Sequence, residues 1–172
     1  MPRTTSYPKR IATIGGTFDA LHNGHKSYIE LAFEFADEVI LYLTTPDYVE
    51  WRKSYQISTF EQRARRIRDF AASRGWGDQL KIRKHKTRDD FLHDFLQEFT
   101  SEHVRYIAVI SPEYYNRFLE INAEREKRGL EGVLLMVKPR HRERLANGKL
   151  VELSSTVEHR NGTTRAAELK AA

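Results

Sequence analysis

The chain has 172 residues, with 29 Lys and Arg against 24 Asp and Glu and a formal net charge of +5. It has no cysteine, which excludes disulfides, thiolate metal sites and cysteine nucleophiles. No apolar run approaches the roughly 18 residues of a membrane span, and the first residues lack the apolar centre of a signal peptide, so we expect a soluble, cytoplasmic protein. The positive charge favours an anionic partner without choosing among nucleotides, nucleic acids and phosphorylated metabolites.

Short apolar runs alternate with helical periodicity along the chain. In chain order, the segments that predict strands are 10–16, 38–45, 79–85, 105–110 and 132–138. Apolar residues recur at helical spacing between them, in segments 29–36, 60–67, 91–99 and 115–122. This order predicts an α/β fold, a single Rossmann-like domain whose five-stranded parallel sheet carries helices on both faces. We assign residues 1–172 to this domain, with an N-terminal tail at 1–9 and a C-terminal tail or short helix at 161–172. The charged segment 139–149, which contains an Asn-Gly turn, predicts a mobile loop.

The first predicted strand leads into the sequence GGTFDALHNGH at 15–25. In an open parallel sheet, ligands bind at the carboxyl ends of the strands. Gly15 and Gly16 let the backbone approach a ligand, Thr17 supplies a hydroxyl, and a helix that begins near Gly24 turns its N–H groups toward an anion. The stretch therefore predicts a phosphate site. A glycine turn followed by histidines that cap a helix is the alternative.

The string GTFDALHNGH matches the T/H-x-G-H signature of the nucleotidylyltransferase superfamily, which the chain resembles through His22-Asn23-Gly24-His25. More of the sequence resembles one branch, the archaeal and eukaryotic type of phosphopantetheine adenylyltransferase. The matching segments are TTPDYVEWRKSYQISTFEQRARRI, AVISPEYYNRFLEINAEREKRGLEGVLLMVK and the closing Ser154-Ser155-Thr156. The resemblance covers roughly residues 11–156, except for 86–103.

The chain departs from that family in two places. Segment 86–103 reads as an aromatic-rich amphipathic helix, where the family has a connection that contains Gly and Pro. After Ser-Ser-Thr the family has x-Ile-Arg, whereas this chain has Val157-Glu158-His159, with Arg160 one place late. The first departure concerns the acceptor contacts and the second concerns a phosphate-binding arginine.

The resemblance implies an enzyme that joins 4'-phosphopantetheine to the α-phosphate of ATP and releases pyrophosphate, with Mg²⁺ bound by the ATP phosphates and by no protein side chain. It implies that His25 stabilises the transition state, that His22 orients the triphosphate and that Lys53 binds the acceptor phosphate. The implied nucleotide-binding residues are Gly15, Gly16, Thr17, Phe18, Asp19, Gly24, Asn122, Arg125, Ser154, Ser155 and Thr156. The implied acceptor-binding residues are Thr17, Arg52 and Lys53.

Several of these residues also have a purely structural interpretation. Lys53 beside Arg52 is compatible with a solvated charge pair. Asn122 lies on an otherwise apolar helix face, where adenine or a neighbouring backbone would serve its amide equally. Arg125 is compatible with a phosphate contact or with solvent exposure, and residues 155–158 form a possible capping box.

Two other functions stay open. The first is nucleotidyl transfer to another phosphate acceptor, such as nicotinamide mononucleotide, flavin mononucleotide or an alditol phosphate. The second is a nucleic-acid-binding module based on the basic run KIRKHKTR at 81–88. We do not expect nucleic-acid binding, because most of this run overlaps a predicted strand and no stacking aromatic residues interleave it.

Overall fold

The computed structural model describes residues 8–49, 56–87 and 90–152, in which strands alternate with helices. The strands are β1 (Lys9–Gly16), β2 (Glu38–Thr44), β3 (Leu80–His85), β4 (Val104–Ile110) and β5 (Leu134–Val137), followed by β6 (Arg142–Arg144) and β7 (Leu150–Glu152). The helices are α1 (Asn23–Phe35), α2 (Pro46–Val49), α3 (Phe60–Ser73), α4 (Asp90–His93) and α5 (Tyr115–Lys127). Short 3₁₀ turns form at Gly77–Gln79 and Pro112–Tyr114, and a π-helical turn forms at Asp94–Glu98.

The first five strands form one parallel sheet in the order β3-β2-β1-β4-β5, which confirms the predicted five-stranded sheet. Strands β2 and β3 are added in turn on one side of β1, and β4 and β5 are added on its other side. The direction of winding therefore changes between β1 and β4, and the carboxyl ends of these two strands flank the crevice where ligands bind in such folds.

Helices cover both faces of the sheet, as the alternation predicted, because adjacent strand residues point to opposite faces. Leu41 belongs to one buried cluster and Tyr42 to the other. The first cluster joins β1, β2 and β4 to α1 and α3 through Ile29, Ala32, Ala64 and Ile67. The second joins the sheet to α5 and the π-helical turn through Phe95, Phe118 and Ile121.

Segment 86–103 differs from the single amphipathic helix that the sequence predicts. Its described part contains only the short helix α4 and the π-helical turn, which closes with a 2.8 Å hydrogen bond from the Phe99 N–H to the Asp94 carbonyl. The Asp94 carboxylate is buried and accepts hydrogen bonds from the Tyr42 hydroxyl and from Arg83. A buried carboxylate needs such partners, so Asp94 anchors the turn against the edge of the sheet.

The charged segment 139–149 also differs from expectation, because part of it belongs to a hairpin rather than to an irregular loop. Strands β6 and β7 pair in antiparallel fashion, with Arg142 opposite Glu152. The predicted Asn-Gly turn lies between them, with Gly148 at a φ of 82°, a conformation that glycine adopts without steric cost.

The basic run at 81–88 lies largely on the edge strand β3, and two of its charges pair with carboxylates of the fold. Lys81 lies 3.0 Å from a carboxylate oxygen of Glu38, and Arg83 lies 2.8 Å from one of Glu98. These pairs fit the solvated edge of a sheet better than a nucleic-acid surface.

Arg63 of α3 is fully buried, at 0% exposure, and connects three segments of backbone. Its Nε donates to the Ser58 carbonyl at 2.9 Å, its Nη1 to the Thr17 carbonyl at 2.7 Å and its Nη2 to the Thr44 carbonyl at 2.8 Å. Thr17 follows β1 and Thr44 ends β2, so one guanidinium fixes the carboxyl ends of two neighbouring strands against α3.

Replacing Arg63 is therefore expected to destabilise the protein. In Arg63→Met three backbone carbonyls lose a charged donor, and unfolding in urea should show a free energy of unfolding lower by about 3 kcal/mol or more. Arg65→Ala is the matched control, because the Arg65 side chain is 84% exposed on the same helix, and the expected change is within about 0.5 kcal/mol. Equal effects of the two variants would contradict this role of Arg63.

Candidate active site

A cavity of about 750 Å³ opens at the carboxyl ends of the strands, where the winding of the sheet reverses. Its lining includes the end of β1 and the end of β4. A polar group of lining residues contains Gly15, Gly16, Thr17, Ser111, Glu113, Arg117 and Arg140. An aromatic group contains Tyr42, Tyr48, His85, Phe91, Phe95 and Phe118. The structure thus brings the predicted phosphate site together with a cavity that also has an extended apolar surface.

The turn between β1 and α1 has a backbone that ordinary residues rarely adopt. Phe18 has a φ of 50° and Leu21 a φ of 38°, both in the left-handed region, which costs a non-glycine residue of order 1 kcal/mol or more. The Phe18 side chain is 1% exposed, and its ring would lie 3.1 Å from a Cβ at position 16. A side chain at position 16 would therefore have to displace this ring, which favours glycine there.

Asp19 holds the same turn against the segment that precedes α3. Its Oδ1 accepts the Ser58 N–H at 2.8 Å, and its backbone carbonyl accepts a 2.7 Å hydrogen bond from Arg66. Phe18 and Asp19 are both buried and are absent from the lining of the cavity. In the structure these two predicted nucleotide-binding residues stabilise the turn between β1 and α1.

His22 and His25 form the first turn of α1 and contact each other. The Nδ1 of His22 accepts the His25 N–H at 3.4 Å, so His22 caps the helix. The two rings stack with centroids 3.8 Å apart and an interplanar angle of 18°. A Cβ at Gly24 would lie 2.9 Å from the His22 ring and 3.1 Å from the Cβ of His141. Only glycine at position 24 lets this helix start pack against both.

Burial holds the pKa of His22 below its ordinary value of 6.5, and the neighbouring carboxylate of Glu143 opposes this shift. With Nδ1 as an acceptor, neutral His22 carries its proton on Nε2. That Nε2 is buried and has no hydrogen-bond partner among the described residues. Because a buried donor without an acceptor is unfavourable, His22 presents an N–H group suited to an anionic ligand.

The segment that follows β5 runs over this helix start. Asn23 donates from its amide to a carboxylate oxygen of Glu143 at 3.0 Å, and the Nε2 of His141 lies 3.3 Å from the same oxygen. The side chains of His22 and His25 are not among the lining of the cavity, although Gly16 and Thr17 of the same motif are. Contact between the histidines and a ligand in the cavity thus requires a shift of the rings or of this segment.

The aromatic side of the cavity is a series of rings in mutual contact. Tyr48 stacks on His85 at 4.9 Å, His85 meets Phe91 edge-on at 5.7 Å, and Phe91 stacks on Phe118 at 6.0 Å. The helical spacing of phenylalanines in 91–99 signalled an apolar surface, but it did not show that part of this surface faces a cavity. These rings are the functional candidates that sequence reasoning missed, together with Glu113 and Arg140.

Asn122 and Arg125 lie away from the cavity lining and bind backbone groups. The Asn122 amide donates to the Val133 carbonyl at 2.9 Å and accepts the Val133 N–H at 2.8 Å. Arg125 is 2% exposed and donates to the carbonyls of Glu131 and Phe95. The Asn122 amide has the backbone partner that the sequence allowed, and Arg125 is not exposed to solvent. The assignment of both residues to nucleotide binding stays a prediction.

The other predicted site residues lie outside the described part of the chain. They are Arg52, Lys53, Ser154, Ser155 and Thr156. Their assignments stay predictions, as do the C-terminal tail at 161–172 and residues 1–7 of the N-terminal tail. Lys9, which the sequence assigned to the N-terminal tail, begins β1 instead.

Comparison with known proteins identifies the family. The cytidylyltransferase-like family model matches residues 13–160. The chain belongs to this family. Among curated relatives, phosphopantetheine adenylyltransferase of Methanopyrus kandleri is 32% identical over 130 residues, covering 76% of this chain and 78% of that protein. Phosphopantetheine adenylyltransferase of Methanosarcina acetivorans is 35% identical over 116 residues, covering 67% and 70%.

Solved structures with a similar fold include a protein of unknown function from Archaeoglobus fulgidus. Its TM-score is 0.57 at 26% identity, with 75% of this chain and 88% of that chain covered. A bifunctional NMN adenylyltransferase/ADP ribose pyrophosphatase from Francisella tularensis has a TM-score of 0.56 at 15% identity, with 76% and 38% covered. The second likeness shows the fold alone.

The described residues contain neither a membrane-spanning helix nor a cluster of metal ligands. No helix there is long and apolar enough to cross a membrane. In the same residues, no group of three or more His, Cys, Asp or Glu side chains is placed to hold a metal ion.

Burial lowers the pKa of His22 and the Glu143 carboxylate raises it, so removing the carboxylate charge should change that pKa. Glu143→Gln removes the negative charge that favours protonated His22, so the pKa of His22 should fall further below 6.5 in an NMR titration of the ring protons. A His pKa lowered on folding means that stability is lost as the pH falls through 6.5, and the variant should lose more of it than the parent. Glu152→Gln, which changes a carboxylate paired with Arg142 on the same hairpin, should leave the titration unchanged. A rise in the pKa of His22 in Glu143→Gln would contradict this account.

Proposed function

We propose that this protein transfers the adenylyl group of ATP to 4'-phosphopantetheine, giving dephospho-CoA and pyrophosphate. In this reaction an oxygen of the acceptor phosphate bonds to the α-phosphorus, and the bond between that phosphorus and the oxygen that bridges to the β-phosphate breaks. The acceptor phosphate is ionised near neutral pH, so the reaction needs no general base. Catalysis therefore depends on positioning and on stabilisation of negative charge.

The observation that carries the proposal is the position of the His22–His25 motif. It starts α1 after the turn that follows β1, at the reversal point of the sheet and next to a cavity bounded by Gly15, Gly16 and Thr17. Anions bind at helix N-termini because free N–H groups and the helix dipole point toward them. We infer the acceptor, 4'-phosphopantetheine, from the archaeal relatives, which are named phosphopantetheine adenylyltransferases.

Each residue of the motif has a role in the proposed reaction. His25 donates to an α-phosphate oxygen in the transition state, and the buried Nε2–H of His22 orients the triphosphate. Thr17 lies between donor and acceptor, where its Oγ1 is 3.3 Å from that of Thr44. Because the rings of both histidines lie off the cavity lining, ATP binding includes a shift of the rings or of the segment over them.

Mg²⁺ enters this proposal as MgATP, bound through the phosphate oxygens that it shields. The acceptor phosphate binds Lys53 and Arg52, and the hydroxyls of Ser154, Ser155 and Thr156 bind the outer phosphates of ATP. The aromatic series from Tyr48 to Phe118 offers an apolar surface to the extended arm of the acceptor. We place the reaction in the cytoplasm, where these substrates are dissolved.

Pyrophosphate release tests the proposed function directly. The purified protein with MgATP is expected to release pyrophosphate in the presence of 4'-phosphopantetheine, and less with nicotinamide mononucleotide, flavin mononucleotide or an alditol phosphate. CTP in place of ATP tests the nucleotide. Pyrophosphate release with a different acceptor would support nucleotidylyltransferase activity but contradict 4'-phosphopantetheine as the acceptor. If no combination of nucleotide and acceptor releases pyrophosphate, the proposal of an enzyme is wrong.

The role of His25 predicts a specific kinetic pattern. In His25→Ala, kcat should fall by about 10² to 10³ while the affinity for MgATP stays close to that of the parent, because the lost donor acts in the transition state. His103→Ala changes an exposed histidine before β4 and should alter neither quantity. Loss of MgATP affinity in proportion to the loss of turnover would place His25 in ground-state binding instead.

A further inference from the structure

Arg140 lies in the connection between β5 and β6 and lines the cavity. Its Nη2 is 2.9 Å from Oε1 of Glu113, which follows β4 and lines the same cavity. Their side chains are 55% and 46% exposed. The pair thus links the two sides of the crevice while both partners remain accessible to water.

The backbone around Arg140 is fixed at both ends. On one side the Lys138 N–H donates to the Ile110 carbonyl at 2.7 Å, at the end of β4. On the other side Glu143 accepts from Asn23 in the first turn of α1. These contacts place Arg140 between the end of β4 and the histidine motif, at the site proposed for the phosphates.

The cavity lining contains side chains of both charges, and Glu113 and Arg140 are a pair of opposite sign among them. Among the described lining residues, Glu113 is the carboxylate and Arg117 and Arg140 are the guanidinium groups. Arg117 also pairs with Glu120 on its own helix at 3.0 Å. Glu113 and Arg140 attract each other in the absence of a ligand, so the carboxylate holds the guanidinium at the edge of the cavity and competes with phosphate oxygens for it.

We propose that Arg140 is a nucleotide-binding residue whose guanidinium exchanges the Glu113 carboxylate for phosphate oxygens of ATP. The inference rests on the proposed function, since it assigns a further residue to the same site. An ion pair between half-exposed partners contributes little to stability, so Glu113 releases Arg140 at little cost. A guanidinium binds phosphate oxygens through parallel hydrogen bonds, and the triphosphate carries more negative charge than one carboxylate.

Calorimetric titration with MgATP, without acceptor, tests the exchange. Arg140→Ala should weaken binding by about 10-fold to 100-fold, with Arg140→Lys in between. Glu113→Gln removes the competitor and should bind MgATP as tightly as the parent or more tightly. Arg142→Ala is the matched control, because Arg142 has the same charge two residues away and pairs with Glu152 within the hairpin, so its affinity should not change.

The variants separate ligand binding from a structural role of the pair. If the pair only holds the connection in place, Arg140→Ala and Glu113→Gln weaken binding equally, and the proposal is wrong. It is also wrong if Arg140→Ala binds as the parent does, if Arg142→Ala loses as much affinity, or if the parent does not bind MgATP. Thermal unfolding confirms that each variant is folded. Binding that depends on Arg140 without pyrophosphate release would support this inference and overturn the proposed reaction.

Discussion

One buried guanidinium sets the geometry on which the candidate site depends. Arg63 is removed from solvent and directs its donors to the carbonyls of Thr17, Thr44 and Ser58. Burial lowers its pKa, while the carboxylate of Asp19 acts in the opposite direction. The desolvation cost of such a group is large, and the three backbone contacts offset it only when β1, β2 and α3 are all in place. The candidate phosphate site is therefore linked to the packing of the first face of the sheet.

The strained turn follows from this anchor. With the Thr17 carbonyl held by Arg63 and Asp19 held by Ser58 and Arg66, the chain between them reverses through a left-handed Phe18. The Phe18 ring then fills the space above Gly16 and contacts the His25 ring at 4.8 Å. Backbone strain persists where surrounding contacts over-determine it. Here the result is a helix start whose two histidines are stacked and partly desolvated before any ligand binds.

The sequence predicted the sheet and the position of the motif because both depend on local patterns. Short β-branched runs specify buried parallel strands, and the glycines specify close backbone approach. It did not distinguish Arg63 from Arg65 and Arg66, since three arginines within one helical turn differ only in the face they occupy. The roles of Asn122 and Arg125 were also out of reach, because their backbone partners become neighbours only when β5 and the π-helical turn pack against α5. The contact between Arg140 and Glu113 joins residues 27 positions apart across the crevice.

The arginines of this fold differ in burial, and burial limits the function that each of them can have. Arg63 and Arg125 are 0% and 2% exposed, and they donate to backbone carbonyls in sites closed to solvent. A ligand could take these donors only if the fold opened, so neither residue can bind a phosphate at low cost. Arg140 is more than half exposed, and its partner is the half-exposed side chain of Glu113 rather than a buried carbonyl. The buried arginines can therefore fix the shape of the cavity, while Arg140 keeps a guanidinium at its edge that a polyanion can recruit.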